Sequence, residues 1–291
     1  MVQWLSMARP LRVEFKGGLY HVIARGNAKQ KIFLDDHDRE RFLYWLKDAI
    51  RVHNLVLHAY CLMGNHYHVL IETPDGNLSR AMRDVNGHYT QNFNARHERV
   101  GHLFQGRYKA FVIEKHSYIL AVLRYIILNP VRARLVRHPR DWRWSSYKAT
   151  AGIVKTPEWL CVDDALLLFS KNRKTAQREY RQYVRDGIGG ENPHEEARHG
   201  FILGDEPFTH FIWEMTNGTE DIKEYPRAER IVGRPSLEEI FADVKTREER
   251  DSAIVFARGR CGYLTTEIAK HLEVDRTMVG KICRGTYNTN C

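Results

Sequence analysis

Strand-like and helix-like patterns alternate along the first half of the chain in an order that few folds accommodate. Four segments are short and rich in β-branched and aromatic residues, and three segments repeat apolar residues at three- and four-residue spacing. They are strands at 19–27, 55–63, 66–73 and 108–114, and helices at 34–54, 77–97 and 116–133. The order β-α-β-β-α-β-α is the split βαβ pattern with one added helix. We therefore predict an α+β, ferredoxin-like domain: a four-stranded antiparallel sheet with helices on one face.

Two turn signals define element ends. The two middle strands meet at Gly64-Asn65, a dipeptide favoured in tight hairpins, so the histidines after it open the second of these strands. Pro130 lies near the end of the last helix. Because proline has no N–H to donate, we predict that it ends this helix.

The rest of the chain divides into two further segments. With 291 residues the chain is long enough for more than one domain, and residues 7–150 can form the ferredoxin-like domain alone. Residues 151–230 mix helical stretches with a Gly-, Asn- and His-rich linker, and no chemistry can be assigned to them. Residues 231–291 have helical periodicity and end in a helix-turn-helix pattern, which predicts a third, small domain.

Basic residues are concentrated in the first half of the chain. Lys+Arg less Asp+Glu is 24 − 12 = +12 for residues 1–150 and 21 − 24 = −3 for residues 151–291. A basic face attracts a polyanion, of which nucleic acid is the usual one, although such charge can also be a solvated surface. The charge distribution therefore favours a nucleic-acid partner for the first domain.

The cysteines and the hydropathy indicate a cytoplasmic protein. The 5 cysteines are scattered and form no C-x-x-C pair, so neither a disulfide framework nor a cysteine zinc site is indicated. No apolar run approaches the length of a membrane span, and the first residues lack the apolar core of a signal peptide. We expect a reducing compartment and no membrane partner.

His66 and His68 are separated by one residue in the strand-like segment HYHVLIET. Residues i and i+2 of a strand point to the same face, so the two imidazoles could hold one metal ion while Tyr67 points away. The pair alone is a weak signal, because a chain with 15 histidines contains about one such pair by chance. A polar strand face is the alternative, and a metal site requires a further ligand.

A tyrosine and an asparagine are candidate partners for the histidines. Tyr125 and Asn129 are four residues apart in LRYIILNPVRA and so share one face of a helix. If that helix packs near the histidine strand, Asn129 could supply an oxygen ligand and Tyr125 a hydroxyl. Two other interpretations stay open: a core tyrosine with its hydroxyl at the surface, and an asparagine that only precedes a helix-ending proline.

Four short motifs occur in the order and at the separations of a known family. They are RGN after the first strand, MGNHYHVLIE, LFQGRYKAFVIE and YIILNPVRA, and they span about residues 8–150. In this combination the chain resembles the single-tyrosine HUH transposases, most closely the branch of REP-associated tyrosine transposases. One departure is Gly64, where relatives more often have proline. It lies in the turn and not at a ligand position.

The resemblance implies a ferredoxin-like domain with a metal-dependent site that cuts DNA. His66 and His68 would hold a divalent ion, Mg²⁺ or Mn²⁺, and Asn129 would complete its ligands. Tyr125 would be the catalytic nucleophile. The implied reaction is cleavage and rejoining of single-stranded DNA beside a palindromic hairpin repeat, through a 5′-phosphotyrosine intermediate. Tyr118, two helical turns earlier, is a rival nucleophile, but no amide follows it at four residues.

Basic side chains around these motifs are predicted to bind DNA. Arginine and lysine can follow phosphates, while the aromatic residues interleaved with them at 89–108 could stack on unpaired bases or belong to the core. A glycine turn could let the DNA backbone approach closely, or could only form the turn. The predicted contacts in the first domain are Gly26, Asn27, Arg96, Arg99, Arg107, Lys109, Arg132 and Arg134.

The C-terminal segment contains a second candidate DNA-binding unit. In TTEIAKHLEVDRTMVGKICRG, apolar residues line two short helices around an EVD turn, and Asp275 would cap the second helix. Arg276, Thr277 and Lys281 would then face outward, towards a major groove. Together with SLEEIFADV, the segment resembles the C-terminal DNA-binding domain of the bacterial replication initiator. A helical accessory domain without DNA contact is the alternative.

Three functions are consistent with these features. The first is a metal-dependent single-strand DNA endonuclease and strand-transferase, that is, a transposase. A DNA-binding regulator that does not cut, or a metal-dependent RNA-binding module, could use the same fold. The complete set of histidine pair, tyrosine and asparagine favours the cutting enzyme, with single-stranded or hairpin DNA as its partner.

Overall fold

The computed structural model describes residues 13–190, 192–197, 201–217, 236–242, 244, 246–259 and 263–283. These residues form two compact units, one of which ends at Asp205 while the other begins at Glu206. The three segments predicted from the sequence stay a prediction, and their boundaries at residues 7, 230, 231 and 291 lie outside the described residues. No described helix combines the length and the apolar character that crossing a bilayer requires.

A five-stranded sheet forms the centre of the first unit. Its strands are β1 (Gly18–Arg25), β2 (Val56–Leu62), β3 (His66–Thr73), β4 (Lys109–Ile113) and β5 (Ile202–Leu203). They lie in the order β2-β3-β1-β4-β5, and all pairs are antiparallel except β4 with β5. The four predicted strands and the α+β class are confirmed. The expected number of strands is wrong by one, because β5 has only two residues and gives no pattern in the sequence.

Helices cover both faces of this sheet. They are α1 (Asp36–Val52), α2 (Leu78–Arg96) and α3 (Lys115–Arg132). Tyr67 of β3 packs on Phe42 of α1 and donates a hydrogen bond to Asn86 of α2. His68, the next residue, faces Tyr125 of α3. Because adjacent strand residues point to opposite faces, α3 lies opposite α1 and α2, and the prediction of helices on one face is wrong for α3.

Pro130 lies inside α3, which continues to Arg132, so the prediction that proline ends this helix is wrong. The side chain of Asn129 explains how the helix continues. Its Nδ2 donates to the carbonyl oxygen of Tyr125 at 2.9 Å and lies 3.5 Å from that of Ile126. The Ile126 carbonyl is the one that the missing proline N–H leaves unpaired. A side-chain amide thus replaces part of the lost backbone hydrogen bonding.

The described residues between 151 and 205 pack onto the sheet and α3. They contain α5 (Asp163–Leu167) and α6 (Arg173–Asp186), which follow the short α4 (Tyr147–Thr150). The backbone N–H of Cys161 donates to the carbonyl of Leu57 on β2 at 2.8 Å. The guanidinium of Arg124 on α3 lies 4.2 Å from the ring centroid of Tyr183 on α6. This part of the chain therefore belongs to the first compact unit.

The second unit is helical in its described residues. Its helices are α7 (Glu206–Asn217), α8 (Leu237–Phe241), α9 (Arg247–Gly259), α10 (Thr265–His271) and α11 (Arg276–Cys283). Buried apolar side chains from α9, α10 and α11, such as Ile254, Ile268 and Val279, form a small core. Oδ1 of Asp275 accepts a hydrogen bond from the N–H of Thr277 at 2.7 Å, the contact expected of a cap at the start of α11.

Candidate active site

The two histidines of β3 lie side by side on the face of the sheet that α3 covers. Their ring centroids are 5.0 Å apart. His66 is half-buried at the start of the strand, and His68 is buried. Tyr67, between them, points to the opposite face and packs on α1. The alternation of the strand therefore presents both imidazoles at one surface.

Helix α3 brings Tyr125 to this surface. The Tyr125 ring lies edge-on to the His68 ring, with centroids 6.1 Å apart. Asn129 follows one turn later on the same helix. Because its Nδ2 bonds to backbone carbonyls, Oδ1 is the atom left to bind a metal ion. The guanidinium of Arg132 lies 5.2 Å from the Tyr125 ring centroid. Tyrosine, histidine and a cationic side chain thus meet at one place.

Two histidines that the sequence analysis did not single out extend this site. Nε2 of His21 on β1 lies 2.9 Å from Nδ1 of His68, and Nδ1 of His21 lies 2.8 Å from Nε2 of His194. His194 belongs to a 3₁₀ turn, Pro193–Glu196, and its ring centroid lies 4.9 Å from that of Tyr125. His68, His21 and His194 therefore form a hydrogen-bonded row beside the tyrosine.

The hydrogen bonds indicate which histidine nitrogens are left to bind a metal ion. Asn65 donates its Nδ2 to a backbone carbonyl, so its Oδ1 accepts from Nδ1–H of His66 and leaves Nε2 of His66 with a lone pair. In His68, Nδ1 bonds to His21, and Nε2 is buried with no hydrogen-bond partner among the described residues. Histidine commonly binds metals through one nitrogen while a neighbour holds the other. The unpartnered Nε2 of His68 and the lone pair on Nε2 of His66 fit a divalent ion, and Asn129, predicted to add an oxygen ligand, lies one helical turn after Tyr125 on α3.

Burial keeps these imidazoles neutral. It lowers the pKa of His66 to about 4, and the charge of Arg25 acts in the same direction. Burial also lowers the pKa of His194 to about 4. The pKa values of His21 and His68 lie well below the ordinary range, because both rings are buried and neighbouring histidines add to the effect. Neutral imidazoles keep the lone pairs that a metal ion needs.

We expect the free energy of unfolding to fall as the pH is lowered from 6.5 towards about 4, because the histidine pKa is 6.5 when unperturbed and about 4 for His66 and His194 in the folded chain. Between these values the unfolded chain binds more protons, so acid favours unfolding. Urea unfolding in a chelating buffer, at several pH values between about 7 and about 4, measures the loss. His66→Gln should lose less stability over this range than the unmodified protein. An equal loss in both would contradict the prediction.

The first predicted DNA contacts, Gly26 and Asn27, lie beside the histidine pair. The backbone N–H of Gly26 donates to the carbonyl of Asn65 at 2.8 Å, and that of Asn27 donates to the carbonyl of Leu103 at 2.9 Å. A Cβ at residue 26 would collide with the carbonyl oxygen of Gln30. Close packing of the turn therefore accounts for the glycine, while Asn27 is exposed next to the site.

Two of the arginines predicted to bind DNA are held by protein side chains. Arg96 forms ion pairs with Asp35 at 2.6 Å and with Asp38 at 2.7 Å. Arg99 donates to Oε1 of Gln30 at 2.9 Å. An arginine that already pairs with two carboxylates brings little net charge to a DNA phosphate, so the structure weakens the prediction for Arg96 more than for Arg99.

The other basic side chains are at the surface, whereas the aromatic residues interleaved with them are not. The exposed basic residues are Arg107, Lys109, Arg132 and Arg134. The buried aromatic residues are Tyr89, Phe93, Phe104 and Tyr108. Of the two interpretations of these aromatic side chains, the core position is confirmed, and stacking on DNA bases by these four rings is not supported.

The three predicted contacts of the helix-turn-helix segment are exposed on α11. They are Arg276, Thr277 and Lys281. The Thr277 hydroxyl donates to Oδ1 of Asp275, so it takes part in the helix cap. Arg276 is therefore a clearer candidate than Thr277 for a contact with DNA.

Comparison with known proteins finds a family match within the first unit and two similar proteins. Residues 15–129 match the family described as transposase IS200 like, and this range includes both β3 histidines, Tyr125 and Asn129. A Haemophilus influenzae protein named as a REP-associated tyrosine transposase is 26% identical over 143 residues, which cover 45% of this chain and 81% of the relative. The solved structure of a REP-associated tyrosine transposase bound to a REP hairpin is 18% identical, with a TM-score of 0.44, and covers 53% of this chain and 92% of that one. The resemblance noted in the sequence motifs is confirmed, while the likeness of the C-terminal segment to the replication initiator stays a prediction.

Proposed function

Because residues 15–129 match the IS200-like transposase family, we propose that this protein is a metal-dependent single-strand DNA endonuclease and strand-transferase. It would cut and rejoin DNA beside a palindromic hairpin repeat through a 5′-phosphotyrosine intermediate. The observation that carries the proposal is the position of Tyr125, whose ring lies 6.1 Å from that of His68. A nucleophile, neutral imidazoles and an amide oxygen near one surface are the parts that metal-assisted cleavage of a phosphodiester needs.

The ion, Mg²⁺ or Mn²⁺, would be held by His66, His68 and Asn129. When bound, such an ion neutralises charge on the non-bridging phosphate oxygens and orients phosphorus for in-line attack. The protein supplies the orientation of the ligands: Asn65 holds the ring of His66, and His21 holds that of His68. Such partners set the direction of a ligating histidine, and the Asn65 oxygen also fixes the tautomer of His66.

Tyr125 would supply the nucleophile. The phenol loses its proton, its oxygen forms a bond to phosphorus, and the bond between phosphorus and the 3′-oxygen breaks. The 3′-oxygen takes up a proton and leaves as a 3′-hydroxyl, so the 5′-phosphate stays joined to the protein. Rejoining reverses these steps with a 3′-hydroxyl as the attacking group, and it requires no nucleotide cofactor. The guanidinium of Arg132, 5.2 Å from the Tyr125 ring, would stabilise negative charge that develops there.

The proposal includes the finer description of the fold. The strand order β2-β3-β1-β4, with α1 and α2 on one face, supports a ferredoxin-like arrangement. The short turn between α10 and α11, capped by Asp275, supports a helix-turn-helix. In this proposal residues 7–150 are the catalytic domain, and residues 231–291 bind duplex DNA. Residues 151–230 are the helical and linker region, whose described part up to Asp205 belongs to the first unit. A cytoplasmic location remains a prediction.

The direct test is a search for the covalent intermediate. Full-length protein incubated with labelled hairpin DNA and Mg²⁺ or Mn²⁺ should give a protein–DNA adduct that survives denaturation, and a chelator should abolish it. Binding of the hairpin without adduct or cleavage would identify a DNA-binding regulator instead. Preference for hairpin RNA without cleavage would identify an RNA-binding module.

We expect Arg276→Ala to weaken binding to DNA with flanking duplex and to leave cleavage of a short single-stranded hairpin unchanged. A tethered second domain raises apparent affinity without touching the scissile phosphate. Loss of one phosphate contact should reduce the slope of log K against log salt by about 1. Lys270→Ala removes an exposed charge from α10 and is the matched control. If Arg276→Ala keeps the full slope in binding assays at several salt concentrations, that side chain does not contact a phosphate.

A further inference from the structure

A second group of metal-ligand side chains lies at the edge of the sheet, away from Tyr125. We call it the His58 cluster, and it consists of His58 on β2, Cys161 before α5 and Asp164 in the first turn of α5. One ligand atom from each of these residues lies within 4.8 Å of the other two. Glu72, which contacts the cluster, is four residues beyond His68 on β3, or about 13 Å along the strand. The cluster is therefore separate from the candidate active site.

The backbone explains why these side chains meet. The pairing of β2 with β3 shifts register between Leu57 and Ala59, so His58 lies at an irregularity of the strand. Such bulges redirect a side chain. The N–H of Cys161 donates to the carbonyl of Leu57 at 2.8 Å, which holds the cysteine next to His58. Asp164 follows three residues later on α5.

The hydrogen bonds of His58 leave one nitrogen directed at the cluster. Nε2 of His58 lies 3.1 Å from Oε2 of Glu72, and the same carboxylate binds Nζ of Lys115 at 2.7 Å. A carboxylate only accepts, so Nε2 carries the hydrogen, and in the neutral imidazole Nδ1 keeps its lone pair. Nδ1 is buried and has no hydrogen-bond partner among the described residues. A carboxylate holding one histidine nitrogen while the other faces a metal is a recurring arrangement in zinc proteins.

We propose that the His58 cluster binds a zinc ion through Nδ1 of His58, the thiolate of Cys161 and a carboxylate oxygen of Asp164. Imidazole, thiolate and carboxylate together suit Zn²⁺, whereas Mg²⁺ and Mn²⁺ prefer oxygen. Zinc bonds of about 2.0–2.3 Å place tetrahedral ligands about 3.3–3.7 Å apart, so the ligand atoms need to approach one another by no more than about 1.5 Å on binding.

Charge and proton balance are consistent with this ion. The Cys161 thiol loses its proton to solvent when the metal binds, as thiol ligands do. Burial lowers the pKa of His58, but the Cys161 and Glu72 side chains raise it above the ordinary value, so a protonated His58 also releases a proton. One thiolate and one carboxylate then neutralise Zn²⁺. Nζ of Lys115 lies 2.7 Å from Oε2 of Glu72 and 2.8 Å from Oδ2 of Asp164, so it neutralises Glu72 and leaves Oδ1 of Asp164 for the ion. A water molecule can fill the fourth position. The ion would join the start of α5 to strand β2, a role that requires no contact with Tyr125.

Cobalt substitution tests the site directly. Co²⁺ bound to a thiolate gives a ligand-to-metal charge-transfer absorption in the near ultraviolet, and His66, His68 and Asn129 contain no thiolate that could produce it. We expect full-length chelator-treated protein to show this absorption with Co²⁺ and to lose it when Zn²⁺ is added. Cys161→Ser should abolish the absorption, and Cys283→Ser, which removes another half-buried cysteine, should preserve it.

A second measurement distinguishes loss of zinc binding from loss of folding. In competition with a colorimetric zinc chelator, Glu72→Gln should weaken zinc affinity about 10- to 100-fold, the usual effect of removing the partner of a ligating histidine. Asp164→Asn changes a carboxylate that is 39% exposed, so the protein should stay folded by circular dichroism while its zinc affinity falls. If the unmodified protein gives no charge-transfer absorption, or if the absorption is the same in Cys161→Ser, the proposal is wrong.

Discussion

Replacing Tyr125 with phenylalanine should abolish the covalent protein–DNA adduct and lower the cleavage rate by at least about 10³-fold, because only the nucleophilic oxygen is lost. The ring contacts with His194 and Arg132 stay in place, so the site should keep its shape. DNA affinity should change by less than about tenfold, since one hydrogen bond contributes about 0.5–1.5 kcal/mol. Denaturing gels with labelled hairpin DNA measure the adduct, and equilibrium binding measures the affinity.

Tyr118→Phe is the matched control for this variant. Tyr118 lies on the same helix, two turns earlier, and is half-buried like Tyr125. The control should keep both adduct and cleavage. If instead Tyr125→Phe forms the adduct normally and Tyr118→Phe does not, the nucleophile has been assigned to the wrong tyrosine.

Local periodicity is what made the main parts of this site predictable. The two-residue period of a strand places His66 and His68 on one face, and the four-residue spacing of a helix places Tyr125 and Asn129 on one side of α3. Neither period tells which face of the sheet α3 covers, because that depends on packing between elements distant in sequence. The family resemblance supplied this link, and the distance between His68 and Tyr125 agrees with it.

His21 and His194 could not be found in this way. His21 is a diagonal neighbour of His68, because Ile23 lies opposite His68 in the register of β1 and β3. That relation becomes visible only when the strand order is known. His194 is separated from His21 by 173 residues and lies in a polar segment without periodicity. No local pattern connects such a residue to the site.

The basic and aromatic pattern at residues 89–108 does not by itself distinguish a DNA-binding surface from a packed helix, because the difference again depends on tertiary packing. Basic and aromatic residues that alternate along a chain occur in single-strand binding surfaces, but also in an amphipathic helix whose rings face the core. Tyr89 and Phe93 are four residues apart on α2 and both are buried. Arg96, on the outer side of the same helix, pairs with Asp35 and Asp38 at the start of α1. The sequence pattern is the same in both cases, and only tertiary packing distinguishes them.

The second large effect is expected for the histidine pair. His66→Ala and His68→Ala should each lower the cleavage rate by at least about 10²-fold and weaken Mn²⁺ binding by more than about 100-fold, because each removes a metal ligand, a larger loss than that of a ligand's partner. Cleavage assays and calorimetric Mn²⁺ titrations measure the two effects. His88→Ala, which removes an exposed histidine from α2, should change neither.

The two variants should differ in stability, and this difference separates loss of metal from loss of structure. His68 is 3% exposed and bonds to Nε2 of His21, so alanine leaves a buried nitrogen without its partner and should cost about 1–3 kcal/mol of unfolding free energy. His66 is half-buried at the strand end, so its replacement should cost less. His66→Ala is therefore the cleaner test: a folded protein that neither binds Mn²⁺ nor cleaves DNA is expected. Normal cleavage by both variants would show that the histidine pair is only a polar face of β3 and not a metal site.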